Sequence, residues 1–162
     1  MNKEDIEEKF IQMIRQHERI IYKACSFYAN KENPLSDLIQ DVIVNLWSGY
    51  GKFRGESLES TWIYRIALNT CITHVRKDIR KPQTISLSIL SDTFAEAESK
   101  NDQLNELYRL IHQLKTMEKA IVLLWLEEKT YQEIAEITGL SLSNVATKLR
   151  RIKQKLVEMS NE

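Results

Sequence analysis

The sequence has few of the residues that interrupt helices and no long apolar run. Only four Gly and two Pro occur among 162 residues. The longest unbroken apolar segment, residues 120–126, is far too short to span a bilayer. The first ten residues are polar and acidic and show no signal-peptide pattern, which indicates a cytoplasmic protein. With 43% hydrophobic and 28% charged residues, the composition favours a mostly helical protein with a packed core.

Residues that commonly hold metals or perform chemistry are also scarce. Cys25 and Cys71 form no disulfide or metal-ligand pattern, so both are expected to be small buried residues in a reducing compartment. His17, His74 and His112 are scattered, and the chain has neither a phosphate-binding glycine loop nor paired carboxylates in an apolar frame. No metal or cofactor is therefore expected, and an enzyme is the weakest functional class.

The charge is balanced in total but is segregated along the chain. Lys and Arg number 23, against 23 Asp and Glu. Five basic residues and no acidic one lie between residues 137 and 157, and four basic residues face one acid in 76–81. Residues 82–107 hold five acids and one base. Two basic patches thus flank an acidic connector, a distribution that indicates local contacts with nucleic acid.

Residues 82–101 are predicted to form a linker. They contain Pro82, several Ser and Thr residues, and no sustained helical period. A structureless segment of this length is uncommon as a loop inside one compact domain. The sequence therefore predicts an all-α protein with two small helical domains. These are an N-terminal bundle at 1–81 and a C-terminal four-helix domain with a helix-turn-helix at 102–162, joined by a flexible linker at 82–101.

Residues 130–156 have the signals of a helix-turn-helix. Thr130 and Glu133 form a capping box, Gly139 suits the positive φ that ends a helix, and Ser141 can cap the next helix. A buried stripe is then predicted at spacings of three and four residues: Leu142, Val145, Leu149, Ile152 and Leu156.

The opposite side of that last helix is polar and basic. Such side chains hydrogen-bond base edges or phosphates in a major groove, although an ordinary hairpin with a solvated basic face is the simpler alternative. The predicted DNA-binding residues are Ser143, Asn144, Thr147, Lys148, Arg150, Arg151 and Lys153.

The segment 35–47 has near-perfect helical amphipathicity. Its apolar stripe includes Trp47, which is predicted to be structural, and one apolar residue, Val44, falls on the opposite face. An exposed apolar residue is a hint of a protein-binding surface, while a solvated face is the simpler interpretation. The polar residues of that face are Asp37, Gln40, Asp41 and Asn45.

A glycine-punctuated loop follows, and a long helix is predicted from about Ser57. One stripe of that helix carries an aromatic, an amide and several guanidinium groups, which suits the binding of single-stranded or unwinding DNA. Tyr50, Phe53 and Tyr64 can add stacking surface; alternatively, Trp62 and Tyr64 are core aromatics and the arginines serve solubility. The stripe comprises Trp62, Arg65, Asn69, Thr73, Arg76 and Arg80.

The ordered set of segments resembles a bacterial RNA polymerase sigma factor of the extracytoplasmic-function (ECF) class, in the sigma-70-like family. "DLIQDVIVNLW" resembles the segment that grips the β′ clamp helices, and "FRGESLESTWIYRIALNTCITHVRK" resembles the one that recognises and melts the minus-10 element. The closing helix-turn-helix resembles the reader of the minus-35 element. The resemblance covers nearly the whole chain and implies a monomeric, non-catalytic initiation factor without membrane insertion.

The resemblance also implies partners and sites. The partners are core RNA polymerase (β′ clamp helices and β flap), promoter DNA and an anti-sigma factor. Thr73 stands where many relatives have Asp. The polymerase contacts implied are Asp37, Gln40, Asp41, Val44 and Asn45. The minus-10 contacts implied are Trp62, Arg65, Asn69, Thr73, His74, Arg76, Lys77 and Arg80, and the minus-35 contacts are the seven residues of the closing helix.

Two other functions remain open at this point. A stand-alone helix-turn-helix regulator would bind duplex DNA tightly by itself, usually as a dimer on symmetric sites. An inactive family member acting only as a protein-interaction module would keep the surface around Asp41 without using Asn69 or Arg151.

Overall fold

The computed structural model describes residues 2–55, 57–77 and 102–161, and these residues form helices connected by short turns. The expectation of an all-helical protein is confirmed. The predicted linker at 82–101 and Arg80 lie outside the described residues. No helix in the described ranges combines the length and the hydropathy of a membrane span. The helices are α1 (Lys3–Gln16), α2 (Glu18–Tyr28), α3 (Leu35–Tyr50), α4 (Glu59–Lys77), α5 (Asp102–His112), α6 (Thr116–Leu126), α7 (Tyr131–Thr138) and α8 (Leu142–Ser160).

Helices α2, α3 and α4 form the centre of the N-terminal half, with α1 covering one end of α3. Cys25 and Cys71 are fully buried between α2 and α4, with their Sγ atoms 3.9 Å apart, and both are free thiols. The hydrogen bond with Cys71 and burial raise the pKa of the Cys25 thiol, so Cys25 behaves as a core residue rather than as a reactive thiol. The expectation that both cysteines are buried is confirmed.

Aromatic packing explains the position of α1. Phe10 is buried and makes edge contacts with Trp47 and Tyr50, at ring-centroid distances of 5.0 and 5.3 Å. Trp47 remains 41% exposed, so it closes the rim of the core rather than filling it. Its predicted structural role agrees with these contacts, since offset and edge-to-face rings stabilise one another beyond the area they bury.

The C-terminal half consists of α5–α8, as the predicted four-helix domain requires. The apolar segment 120–126 is a core strip only in part, because residues 120–124 are buried whereas Trp125 and Leu126 are 37% and 38% exposed. The prediction of a buried Leu142 is wrong: it is the first residue of α8 and is 54% exposed. The buried stripe of α8 is Val145, Leu149 and Ile152.

The two halves pack directly against each other. Helix α2 contacts α5 and α6, and α4 contacts α6 and α7. Phe27 and Tyr108 meet edge to face at 5.7 Å, and the Tyr28 hydroxyl donates a hydrogen bond of 2.6 Å to the Thr116 carbonyl. The buried residues of both halves therefore form one continuous hydrophobic cluster.

Candidate DNA- and polymerase-binding surfaces

Side-chain caps define the helix-turn-helix of α7 and α8. The Thr130 hydroxyl accepts from the Glu133 amide at 3.1 Å, and the Glu133 carboxylate accepts from the Thr130 amide at 3.0 Å. The hydrogen bond from the Thr130 backbone amide holds the pKa of the Glu133 carboxylate below its usual value. Gly139 has φ of 80°, and the Ser141 hydroxyl accepts from the Asn144 amide at 3.2 Å. The predicted capping box, turn glycine and second cap are all confirmed.

The face of α8 that was predicted to bind DNA points mainly into solvent. Ser143, Asn144, Lys148, Arg150 and Arg151 are exposed, and no ion pair within the described ranges involves their basic groups. The other two predicted residues are half-buried: Thr147 lies on the margin of the face, and the Lys153 ammonium sits 4.4 Å from the centroid of the Trp125 ring. The cation–π contact with the indole restrains the Lys153 ammonium. The face is thus an exposed cationic surface, with Lys153 held against Trp125 at its edge.

The predicted minus-10 stripe of α4 is only partly exposed. Asn69, Thr73 and Arg76 are exposed, Arg65 is half-exposed, and Lys77 is the last residue of the helix. Trp62 is buried at 9% exposure. The suggestion that Tyr64 offers stacking surface is wrong for this conformation, because its side chain is 1% exposed beneath α6 and the turn that follows it.

A cavity of about 470 Å³ lies where the loop after α3 meets α4. The Trp62 ring stacks on Phe53 at 4.8 Å and an interplanar angle of 25°. Gly49 lies beside the same ring, where an added Cβ would be 3.4 Å from Trp62. The lining is completed by polar and basic side chains and by one acid from α7: Lys52, Arg54, Ser57, Arg65 and Glu136.

Glu136 contacts Arg65 at the mouth of this cavity. The Arg65 Nη2 atom lies 3.7 Å from the Glu136 carboxylate and 3.4 Å from its backbone carbonyl oxygen. The sequence analysis missed Glu136, because the two residues lie 71 positions apart and α7 was considered only as part of a DNA-binding motif. In the sequence, the one signal that could have selected Glu136 was its position on the outer face of α7.

The outer face of α3 carries the predicted polymerase contacts. Asp37 and Gln40 are exposed, Asp41 is half-exposed, and Val44 is 54% exposed as predicted. Beside this face, a groove of about 650 Å³ between α1, α2 and α3 includes the apolar side chains of Ile14, Ile39 and Ile43. The surface combines acidic, amide and apolar groups, which suits a protein partner more than nucleic acid.

Two polar contacts join this face to α4. The His74 Nε2 atom lies 2.7 Å from the Asp41 carboxylate, and the Asn45 amide donates to the Thr70 hydroxyl at 2.9 Å. Thr70 in turn donates to the Ile66 carbonyl at 2.7 Å. We call these two contacts the α3–α4 seam. The seam joins residues predicted to bind polymerase to residues predicted to bind DNA. It also includes Thr70, which the sequence analysis did not select.

A further cavity, of about 350 Å³, opens over the α3–α4 seam. Asn69 and Thr73 line it together with His74 and Asn45. His74 therefore lies between the two predicted sites, with its ring nitrogen directed to Asp41 and its side chain 20% exposed.

Comparison with known proteins identifies both halves. The family model for sigma-70 region 2 matches residues 13–81, and the model for sigma-70 region 4 matches residues 104–156. RNA polymerase sigma factor YlaC of Bacillus subtilis is 35% identical over 127 residues, covering 74% of this chain and 73% of that protein. ECF RNA polymerase sigma factor SigW of the same species is 26% identical over 164 residues, covering 93% and 88%.

Solved structures show the same fold over nearly the whole chain. The sigma factor RpoE in complex with the anti-sigma factor NepR from Bartonella quintana matches with a TM-score of 0.73 at 18% identity, covering 95% of this chain and 98% of RpoE. CnrH in complex with the cytosolic domain of CnrY matches with a TM-score of 0.67 at 21% identity, covering 96% and 89%.

Proposed function

The chain belongs to the sigma-70 family of RNA polymerase sigma factors, in its ECF class, and from this premise we propose which of its surfaces bind polymerase and which bind the two promoter elements. The protein binds core RNA polymerase and directs promoter-specific initiation of transcription. The family consists of transcription initiation factors. We assign polymerase binding and the minus-10 element to a domain at 1–81, the minus-35 element to a domain at 102–162, and a linking role to 82–101, in a monomer that acts in the cytoplasm.

The minus-35 element is assigned to the exposed face of α8. A helix of this kind enters the major groove, where Asn and Arg side chains contact base edges and Lys and Arg neutralise phosphates. Asn144 and Arg151 are exposed near the start and the middle of the helix, and the preformed caps of α7 and α8 hold their backbone in place. The acid-free basic face supports this assignment.

The minus-10 element is assigned to α4 and to the loop that precedes it. Removing a base from a stack costs a few kcal/mol, which stacking and hydrogen bonds in a pocket can offset. The cavity beside Trp62 has an aromatic wall from Phe53 and a guanidinium from Arg65. Asn69, Thr73 and Arg76 continue the exposed stripe along the helix, where they can contact the adjacent strand.

Polymerase binding is assigned to the outer face of α3. Val44 is an exposed apolar residue on a polar helix face, beside an apolar groove, and Asp37 and Gln40 flank it with unburied polar groups. Burying such a mixed surface against a helical partner provides both affinity and register. The similar sigma factor RpoE was solved in complex with the anti-sigma factor NepR, and we propose that a protein of that class also controls this chain.

The observation that carries the proposal is the presence, in order, of sigma-70 regions 2 and 4 on one chain, with an exposed cationic helix in the second. The first test is fluorescence titration of the labelled chain with purified core polymerase in the absence of DNA. One-to-one binding is expected, followed by promoter-dependent run-off transcription. Absence of polymerase binding, together with tight dimeric binding to duplex DNA, would favour a stand-alone regulator.

Val44→Lys tests the assigned surface and has a matched control. It should weaken polymerase binding by tenfold or more, since a charge would replace a buried apolar contact. Val157→Lys introduces the same change at a valine on α8 that is 59% exposed, and it should leave polymerase affinity unchanged. Equal affinities for the two variants would contradict the assignment of the α3 face.

A further inference from the structure

Two lysines in the second half of α8 are held by side chains of α6. The Lys153 ammonium lies 4.4 Å from the centroid of the Trp125 ring. The Lys155 ammonium lies 3.3 Å from the Glu118 carboxylate. At 3.6 residues per turn, positions 153 and 155 fall on opposite flanks of the buried stripe of α8. Helix α6 therefore restrains one basic side chain on each edge of α8.

The two residues that hold these lysines differ in charge. Glu118 is acidic, so it offsets the charge of the Lys155 ammonium, and its carboxylate also accepts from the Lys115 amide at 2.8 Å. Trp125 is neutral, and a cation is attracted to an indole by the ring quadrupole without losing its charge. Among the residues that the structure describes, Lys153 forms no ion pair. Lys153 is thus ordered and still able to attract an anion.

The exposure of Trp125 sets it apart from the core of α6. Its side chain is 37% exposed, whereas residues 121–124, which precede it, are exposed by 1% or less. A large apolar side chain left this exposed gives up part of the stabilisation that full burial would supply. The position of the indole is therefore explained better by the cation beside it than by the core.

Lys153 lies at the edge of the face that we assign to the minus-35 element. Arg150 precedes it by three residues, so the two side chains are neighbours on the helix surface, and Arg150 is exposed. A free lysine side chain samples many rotamers, and ordering it on binding costs conformational entropy. The indole orders Lys153 before DNA arrives, and the ammonium has three N–H donors with which to reach a phosphate oxygen. A preordered cation at this edge suits a backbone contact, which fixes the register of a helix on the duplex.

We infer that Trp125 is a positioning residue for duplex DNA: its indole holds the Lys153 ammonium at the edge of the α8 face, where the ammonium contacts a backbone phosphate. The inference rests on the proposed function in taking α8 as the helix that binds duplex DNA. The contact between the ring and the ammonium does not rest on it, because it is made within the free chain.

Proton NMR tests this contact in the free chain. The ring current of an indole shifts protons above its face upfield, so the ε-methylene protons of Lys153, next to the ammonium, should lie upfield of those of the other lysines. Their signal is assigned by its loss in Lys153→Met. Trp125→Leu should return the signal to the position of the other lysines. An unshifted signal in the parent chain would overturn the positioning role.

Fluorescence anisotropy with a labelled duplex of random sequence tests the phosphate contact. Such contacts do not depend on sequence, and each one lost lowers the slope of log affinity against log salt concentration by about 0.9. Lys153→Met should lower the slope by about this amount and the affinity at low salt by about three- to tenfold. Trp125→Leu keeps the charge, so it should weaken binding by about two- to fivefold and change the slope less than Lys153→Met does. A higher affinity in Trp125→Leu than in the parent chain would contradict the inference.

A double-mutant cycle separates positioning from a general structural effect. Because Trp125 acts through Lys153, the double variant Trp125→Leu/Lys153→Met should bind no more weakly than Lys153→Met alone. Trp125→Phe keeps an aromatic face and should retain most of the parent affinity. Trp47→Leu, the same change at a tryptophan of α3 that is 41% exposed, is the matched control and should leave duplex affinity unchanged. Additive losses in the cycle, or equal losses in Trp47→Leu and Trp125→Leu, would overturn the positioning role.

The positioning role and the proposed function can fail separately. The NMR and anisotropy measurements contain neither polymerase nor a promoter, so they decide the roles of Trp125 and Lys153 alone. If the parent chain fails to bind polymerase and to support run-off transcription, the proposed function is wrong whatever the cycle shows. If the parent chain binds no duplex at low salt, the positioning role is wrong, and so is the assignment of α8 to duplex DNA.

Discussion

Helices α4 and α8 are both 19 residues long and both carry a predicted DNA-binding face, but they are packed differently. Helix α4 contacts α2, α3, α6 and α7, whereas the contacts of α8 among the described helices are with those of its own half, α5, α6 and α7. The basic groups of α8 at Lys148, Arg150 and Arg151 are exposed, while Arg65 of α4 is paired with Glu136. The α8 face that we assign to the minus-35 element is thus exposed, whereas Glu136 of α7 contacts the α4 face that we assign to the minus-10 element.

The basic side chains of the two helices also differ in whether an acidic side chain lies beside them. Among the described residues, Lys148, Arg150 and Arg151 of α8 form no ion pair, so their attraction to phosphates does not require the release of an acidic partner. On α4, His74 is paired with Asp41 of α3 and Arg65 is paired with Glu136 of α7. A polyanion would compete with these carboxylates, so we expect the N-terminal half to have the lower intrinsic affinity for DNA.

Of the variants that test this difference between α4 and α8, Arg151→Ala should cause the largest loss of transcription. Losing an arginine contact to a base edge or phosphate costs about 1–3 kcal/mol, so minus-35-dependent transcription should fall by about tenfold or more. Polymerase affinity should not change, because Arg151 lies on the exposed face of α8. Gln154→Ala, an exposed neutral position on the same helix, is the control for run-off assays. A similar loss in both variants would show that the face is not the DNA contact.

A double-mutant cycle on the α3–α4 seam should give a smaller effect. His74→Ala and Asp41→Ala should each weaken polymerase binding severalfold, and the double variant should be no worse than Asp41→Ala alone, since the two residues act through one contact of 2.7 Å. Additive losses in titrations with core polymerase would contradict this coupling. Thr73→Ala, an exposed neighbour on α4, is the control for polymerase affinity.

Thr130→Ala should produce the smallest change in function and a clear change in stability. Removing an N-terminal cap costs about 1 kcal/mol of unfolding free energy, measured by urea denaturation. Transcription should fall less than twofold at a temperature where the chain stays folded. A large loss of DNA binding without a loss of stability would show that the helix-turn-helix is not preformed and that its cap acts in recognition.

The stability that this cap contributes should depend on pH. Glu133 has a lowered pKa because it accepts from the Thr130 amide, so its carboxylate contributes stability above the ordinary pKa of 4.5. That contribution is lost as the pH falls through the lowered value. The difference in unfolding free energy between the parent chain and Glu133→Gln should therefore shrink from pH 7 to pH 3.

Local signals allowed the C-terminal motif to be predicted in detail. The capping box at Thr130, the turn at Gly139 and the cap at Ser141 each depend on residues within four positions, and all are present in the structure. The exposed Val44 was also predicted correctly, because helical periodicity assigns residues to faces. The buried cysteines were predicted because they form no metal-ligand or disulfide pattern. Leu142 was assigned wrongly because periodicity does not tell which residues at the end of a helix are covered by a neighbour.

The rest of the site depends on contacts between distant residues. Tyr64 lies on a helix face that periodicity alone cannot distinguish from an exposed one, and its burial requires knowledge of α6 and the turn after it. The pairs Arg65–Glu136 and Lys23–Glu127 join residues 71 and 104 positions apart. Such partners follow only from the packing of the two halves, which no local pattern encodes. The polymerase and DNA contacts themselves stay predictions.

The α3–α4 seam has a consequence for building chimeric sigma factors. A donor α4 transplanted alone to change promoter preference would bring its own residues to positions 70 and 74, opposite Asn45 and Asp41 of the recipient. An unmatched pair would leave a polar group of the recipient without its hydrogen bond and would tilt the transplanted helix. Exchange of α3 and α4 as one cassette keeps the pairs together, so it should transfer promoter preference where the single-helix graft loses activity.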